Sequence, residues 1–364
     1  MIDIKIYDWL MKNADTPIRY RVAREFLKDE QAAKKIEPEL LENPNVVKWL
    51  PNIQGEVACH GCLDTCLENV VPKLVQLGLH GGLPPIKDSI KNYIENGIKN
   101  VNNFCPKEPP YRSDFWSILI ANFISMADVK IELISKFMLD SLDEMYNFTK
   151  HGDYDIYLDE EEKAKLPGIP RKWWEKKVIK PELLKEYGFG YPMIYDIAGL
   201  YRLYDLKNPE TDKKIDNIIS YISTDEFHSK IQDGYGICVE KEYARYHGMG
   251  WDPKYPGWFD VADYIETKNI KFKNNGNVPK LLFLAQNISK YSPALKTKWF
   301  NDLLNYFEKY KTDNGTYIFP KEWLKESPGY AVQGHHVSFG ESRRKKNWCE
   351  IESTFYIQLL KQNI

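Results

Sequence analysis

Gly188–Leu206, GFGYPMIYDIAGLYRLYDL, is the stretch whose reading decides the fold. Apolar and aromatic residues occupy nearly every side of it, with one carboxylate, Asp196, near its start. A helix of that composition is buried all round. Asn208-Pro209 ends it, and Glu210–Ser223 follows with Ile215, Ile218, Ile219 and Ile222 at helical spacing. A buried inner helix followed by a half-exposed outer helix is the unit of a helical barrel or solenoid.

Outward from this pair the unit recurs. Upstream, Thr16-Pro17 opens the helix IRYRVAREFLKDE, with Thr16 as N-cap and Pro17 at the first helical position. Glu37–Leu50 reads as its outer partner. Cys59–Leu79 is a long apolar helix kinked at Pro72. Pro84-Pro85 opens its amphipathic partner, with Ile86, Ile90, Tyr93, Ile94 and Ile98 on one face. Arg112–Ala127 is inner and Val129–Thr149 outer. Downstream, Val278–Tyr291 pairs with Leu295–Tyr310, and Asn347–Leu360 is the last inner helix. That gives six inner helices, of which the sixth lacks an outer member. The short amphipathic helix Ile2–Asn13 is predicted to pack beside it and close the ring, which an open solenoid would not do. The expected architecture is all-α, an (α/α)6 toroid formed by 1–364 as one domain. Inserts at 150–180, 231–277 and 320–346 interrupt the repeat, and inserts of that length are often lids or binding loops.

The chain has 364 residues, with 50 basic and 52 acidic side chains and a formal net charge of -2, which gives no support for nucleic-acid binding. Aromatic residues make up 14%, enough to wall a ring-lined pocket. Six irregularly spaced Cys do not form a secreted disulfide framework. The N-terminus lacks the basic and apolar pattern of a signal peptide. No apolar run is long enough for a membrane span. These features predict a soluble, cytoplasmic protein acting on a small molecule. Cys59, His60, Cys62 and Cys66 supply a partial zinc set, but no second Cys pair follows at finger spacing, so no metal or cofactor is expected.

Three segments resemble a known family. TPIRYRVAREFLKD at 16–29, YRSDFWSILIANF at 111–123 and RRKKNWCEIESTFYIQLL at 343–360 look like bacterial proteins that carry the prenyltransferase and squalene-cyclase type of α/α toroid. The resemblance covers most of the chain as a loose pattern of helices. It implies the toroid, of the terpenoid-cyclase and prenyltransferase-like class, and carries no reaction. It implies no catalytic residue. The Asp-x-Asp-Asp acid of squalene-type cyclases has only Asp153-Tyr154-Asp155 as a partial counterpart, and no Asp-x-Cys zinc pair of protein prenyltransferases occurs.

In a toroid the inner helices run parallel, so polar residues near their N-terminal ends converge. These are His60 and Asp64, Ser113 and Asp114, Tyr195 and Asp196, and Glu350 with Glu352. Carboxylates are also favoured there by the helix dipole alone. Asp196, set among Tyr191, Tyr195 and Ile197, is a candidate proton donor with a raised pKa, or a buried partner for an Arg. Gly234–Asp263 is the most site-like loop. Its Arg245-Tyr246-His247 triple can clamp an anion and move a proton, and Trp251, Asp252 and Trp258 flank it as binding residues. His335 and His336, with the basic run Arg343–Lys346, form a candidate rim. The catalytic candidates are Asp196, His247, Glu350 and Asp64. An α/α barrel also hosts carbohydrate-active hydrolases, lyases and epimerases, which use paired carboxylates and stacking Trp and Tyr. A non-catalytic helical-repeat scaffold is the third reading.

Overall fold

The computed structural model describes residues 4–53, 60–96, 115–166, 171, 174–183, 190, 192–231, 235–240, 245–250, 261–262, 265–266 and 277–364. Helices dominate. They are α1 Ile4–Asn13, α2 Thr16–Arg21, α3 Glu30–Leu41, α4 Pro44–Trp49, α5 Leu67–Gln76, α6 Pro84–Asn96, α7 Phe115–Met126, α8 Glu132–Thr149 and α9 Glu160–Ala164. There follow α10 Ile194–Leu200, α11 Pro209–Ile222, α12 Asp225–Lys230, α13 Asn277–Ile288, α14 Ser292–Leu295, α15 Lys298–Phe307 and α16 Trp348–Lys361. One antiparallel hairpin, β1 Tyr235–Glu240 and β2 Arg245–Gly250, lies in the 231–277 insert.

The six expected inner helices are α2, α5, α7, α10, α13 and α16, and their contacts run in cyclic order. α5 packs on α7, α7 on α10, α10 on α13, and α13 on α16. From α16 the circuit passes to α2, whose Arg21 guanidinium lies 5.0 Å from the Phe355 ring. From α2 it returns to α5 through Arg21 Nη1, which donates to the Gln76 carbonyl at 3.3 Å. α1 packs against both α2 and α16, where the closing helix was expected. Every residue of α10 is buried, as its all-round apolar character requires. On the outer layer α8 packs on α7 and α11 on α8.

The C-terminal ends of all six are linked. Tyr20 and His80 meet at 2.9 Å, and Arg24 and Arg202 reach Asp128 at 3.3 and 3.4 Å. Lys290 Nζ lies 4.0 Å from the Tyr201 ring, and Asn363 donates to the Ser289 carbonyl at 3.1 Å. The inner helices therefore run in one direction, and their N-terminal ends share the opposite side.

Several boundaries differ from expectation. α10 spans only 194–200; Tyr201–Leu206 tightens to a 3-10 helix and ends at Lys207 with φ +50°. Asn208 then caps α11, its side chain accepting from the Glu210 and Thr211 amides. α5 starts at Leu67, and His60–Cys66 is a turn, because Asn69 hydrogen-bonds the Gly61 and Leu63 carbonyls and Glu68 takes the Gly61 amide. Side chains that satisfy backbone groups in this way compete with a helical ladder. The N-cap of α2 is Asp15, and the Thr16 hydroxyl instead donates to Glu39. The single helix expected at 37–50 is divided, with α3 ending at Leu41 and Asn43 capping α4.

Candidate functional site

The N-terminal end of α5 carries two fully buried polar residues, Glu68 and Asn69. Glu68 Oε1 receives the Gly61 amide and meets His60 Nδ1 at 2.9 Å. Its second oxygen is buried with no hydrogen-bond partner. A carboxylate only accepts, so Nδ1 of His60 is the donor in this contact. The His60 side chain is 39% exposed. Its ring lies 5.4 Å from Tyr330 and edge-on to Tyr195 at 6.3 Å.

Tyr330 belongs to the third insert, which crosses this end of the ring as a strap. Four polar anchors fix the strap. Asn69 Oδ1 accepts the Ala331 amide at 2.8 Å. Lys73, buried on α5, pairs with Glu326 and donates to the Ser338 carbonyl at 2.7 Å. His336 Nε2 lies 3.1 Å from the Gly329 carbonyl and 3.4 Å from Asp64 Oδ1. Glu352, fully buried on α16, accepts from the Ser338 hydroxyl and the Phe339 and Glu341 amides, and from Arg343 at 2.9 Å. His336 has φ +65°, uncommon for a residue with a Cβ, and burial lowers its imidazole pKa. Gly329 and Gly334 also have positive φ. A Cβ on Gly334 would lie 2.1 Å from the Lys280 amide of α13, so the strap touches that helix backbone directly.

The predicted residues fall in several places. Asp64 and His336 are brought together, and Tyr195 joins His60. His335 is set apart from them, its Nδ1 2.7 Å from the Ser327 hydroxyl. Asp196 is buried, and its two oxygens accept from the Met193 amide at 3.0 Å and from Asn122 at 2.9 Å. They hold the first turn of α10 and tie it to α7 through the Met193 main-chain amide and the Asn122 side chain. Glu350 accepts from Thr316 at 2.6 Å, on the side of α16 that faces 311–319, while Glu352 faces the strap. Arg245, Tyr246 and His247 lie on β2, paired in register with Glu240, Val239 and Cys238. Trp251, Asp252 and Trp258 lie outside the described residues, as do Cys59, Ser113, Asp114 and Tyr191. Cys62 and Cys66 are free thiols, exposed and buried respectively.

Glu68, Asn69 and Tyr330 were not among the predicted site residues. The available signal was a Glu-Asn pair inside the apolar run LENVVPKLV, where burial forces both side chains to find partners. Among the described residues no helix is long and apolar enough to cross a membrane. Compared with models of known protein families, with curated proteins and with solved structures, the chain matches none.

Proposed function

We propose that this chain is a small-molecule enzyme on an (α/α)6 toroid, with an acid–base site at the N-terminal end of the inner helices. His60 is the general base, and Glu68 fixes its tautomer and ring orientation. The observation that carries this reading is the 2.9 Å contact between His60 Nδ1 and the fully buried Glu68 carboxylate. A buried carboxylate that orients an imidazole through one ring nitrogen is the recurring arrangement of a histidine that moves protons. Tyr195 and Tyr330 supply hydroxyls and ring faces around it.

The polarity of this end bears on the substrate. His60, 39% exposed and beside the rings of Tyr195 and Tyr330, and Asp64, 40% exposed, lie there, and this favours a polar, ring-shaped substrate such as a sugar over an isoprenoid chain. The cyclase-like and transferase-like resemblance is retained for the fold, and the carbohydrate-active reading for the chemistry. The scaffold reading has less support, because a peptide-binding groove gains nothing from a buried Glu–His dyad.

The test is turnover of neutral and uronate-containing oligosaccharides, with farnesyl and geranylgeranyl diphosphate alongside, followed by mass spectrometry. Consumption of a saccharide that falls by about 10²-fold or more in His60→Asn supports the proposal. Consumption of a diphosphate alone, or activity untouched by His60→Asn, overturns it. Nitrogen-15 NMR of the His60 ring adds a substrate-independent check: a neutral ring protonated on Nε2 would contradict the dyad.

A further inference from the structure

The opposite end of the ring holds a second concentration of charge that the proposed site does not use. Four cations meet where the inner helices end: Arg21 at the end of α2, Arg24 in the π-helical turn Val22–Phe26 that follows it, Arg202 after α10, and Lys290 after α13. Their carboxylates are unevenly shared. Arg21 holds Glu25 in a two-pronged pair at 2.8 and 2.9 Å. Arg24 and Arg202 divide Asp128, and Arg202 also lies 3.8 Å from Asp205. No carboxylate among the described residues pairs with Lys290. Its nearest acceptor is the Asn287 side-chain oxygen at 3.4 Å, a long bond. Arg202 Nε is buried without a partner.

These two under-used donors share one ring. Lys290 Nζ sits 4.0 Å and the Arg202 guanidinium 4.4 Å from the centre of Tyr201. A half-buried amine beside a guanidinium, with no counter-ion of its own, is poised to be neutral and nucleophilic, while the guanidinium remains charged.

We propose that Lys290 is a nucleophilic amine that condenses with a small carbonyl compound bearing an anionic group, and that Arg202 holds the anion. The Lys290 nitrogen lone pair forms a C–N bond to the carbonyl carbon. The carbonyl oxygen then leaves as water with both amine protons, and an imine remains. No oxidant or reductant is consumed. Burial first, and then Arg202 and Arg21, bring the Lys290 ammonium down to about 7, so a large share is neutral amine at physiological pH. The charged and titratable groups around it are Arg21, Glu25, Tyr201 and Arg202. This site is independent of the His60 dyad, at the other end of the ring.

The experiment is reductive trapping at neutral pH with glyoxylate and cyanoborohydride, followed by peptide mapping. Carboxymethylation at Lys290 at least about tenfold faster than at the average lysine is expected, since an ordinary lysine is almost wholly protonated there. Labelling spread over lysines in proportion to exposure overturns the proposal. Acetaldehyde supplies the uncharged comparison. Lys290 should favour glyoxylate over acetaldehyde more than other lysines do, and equal preference overturns the anion-holding role of Arg202. Lys290→Met, shown to be folded by circular dichroism, should lose the fast adduct; an unchanged adduct yield overturns the assignment.

Discussion

Arg343 and Glu352 join the strap to the last inner helix: Nη1 donates to the buried carboxylate at 2.9 Å while the guanidinium lies 3.8 Å over the Trp348 ring. Burial pushes the Glu352 carboxyl up, and Arg343 opposes that shift. Arg343→Met leaves Glu352 buried with its neutral donors only. A loss of about 2 kcal/mol in urea unfolding is expected, the scale of a hydrogen bond to a charged group. Unchanged stability would show that Arg343 is an ordinary surface cation.

His80 is held neutral. Its Nδ1 accepts the Gly82 amide at 3.1 Å and its Nε2 meets Tyr20 at 2.9 Å. Burial, with a smaller contribution from Arg24, lowers its imidazole to about 4. Between about 4 and the unfolded value near 6.5, the unfolded chain binds a proton that the folded chain refuses, so stability falls as pH falls through that window. His80→Gln should remove this acid-side loss, read as a flatter thermal midpoint against pH. An identical pH profile would mean that His80 protonates freely in the folded protein.

Glu341 works in the other direction. Its carboxylate takes the Asp15 amide and pairs with Lys345 at 3.2 Å, but burial, with the Asp15 charge, raises it to about 7. Between the unfolded value near 4.5 and about 7 the folded chain holds the extra proton, so stability falls as pH rises. Glu341→Gln should abolish that alkaline-side decline and be relatively more stable at pH 8 than at pH 5. The His80 and Glu341 trends oppose each other over a shared range. A nearly flat wild-type profile that separates into opposite slopes in the two variants is the expected pattern, and parallel slopes would refute it.

Gly199 sets the closeness of α7 and α10. A Cβ there would stand 2.6 Å from Asn122 Oδ1 and 2.7 Å from Ser125 Oγ. Gly199→Ala should destabilise by about 1–3 kcal/mol despite the better helix propensity of Ala, because the core has no room for the methyl. The same shift would disturb the Asn122–Asp196 bond. A stabilised Gly199→Ala would show that the two helices can separate without loss.

The positions of the inner helices were legible because burial on all sides leaves a mark in composition. Ile194–Leu200 has one charged residue, Asp196, and in Trp348–Lys361 apolar and aromatic residues occur on every side among Glu350, Glu352 and Lys361; both are the inner helices expected. The packing of α1 against α16 was legible from the missing sixth outer helix. The site was harder to read. Glu68 in an apolar helix looks like a solvated residue until its partners are known, and those partners, His60 and Gly61, sit in what reads as the same helix. Tyr330 reaches His60 only because Asn69, Lys73, His336 and Glu352 pin a segment distant in sequence. Asp196 was singled out for its burial, but burial alone does not separate a proton donor from a residue holding a helix start.

The seam between α1 and α16 has a consequence for how the chain comes to exist. Lys345 donates to the Asn13 carbonyl across 332 residues. During synthesis the apolar side of α1 emerges long before the surface that covers it, and it waits for the rest of the ring. Contacts of such separation are slow to form, and exposed apolar surface is a hazard while they are missing. A break near either terminus opens the same joint, so a short deletion at 4–13 and one at 348–361 should produce the same partly unzipped species.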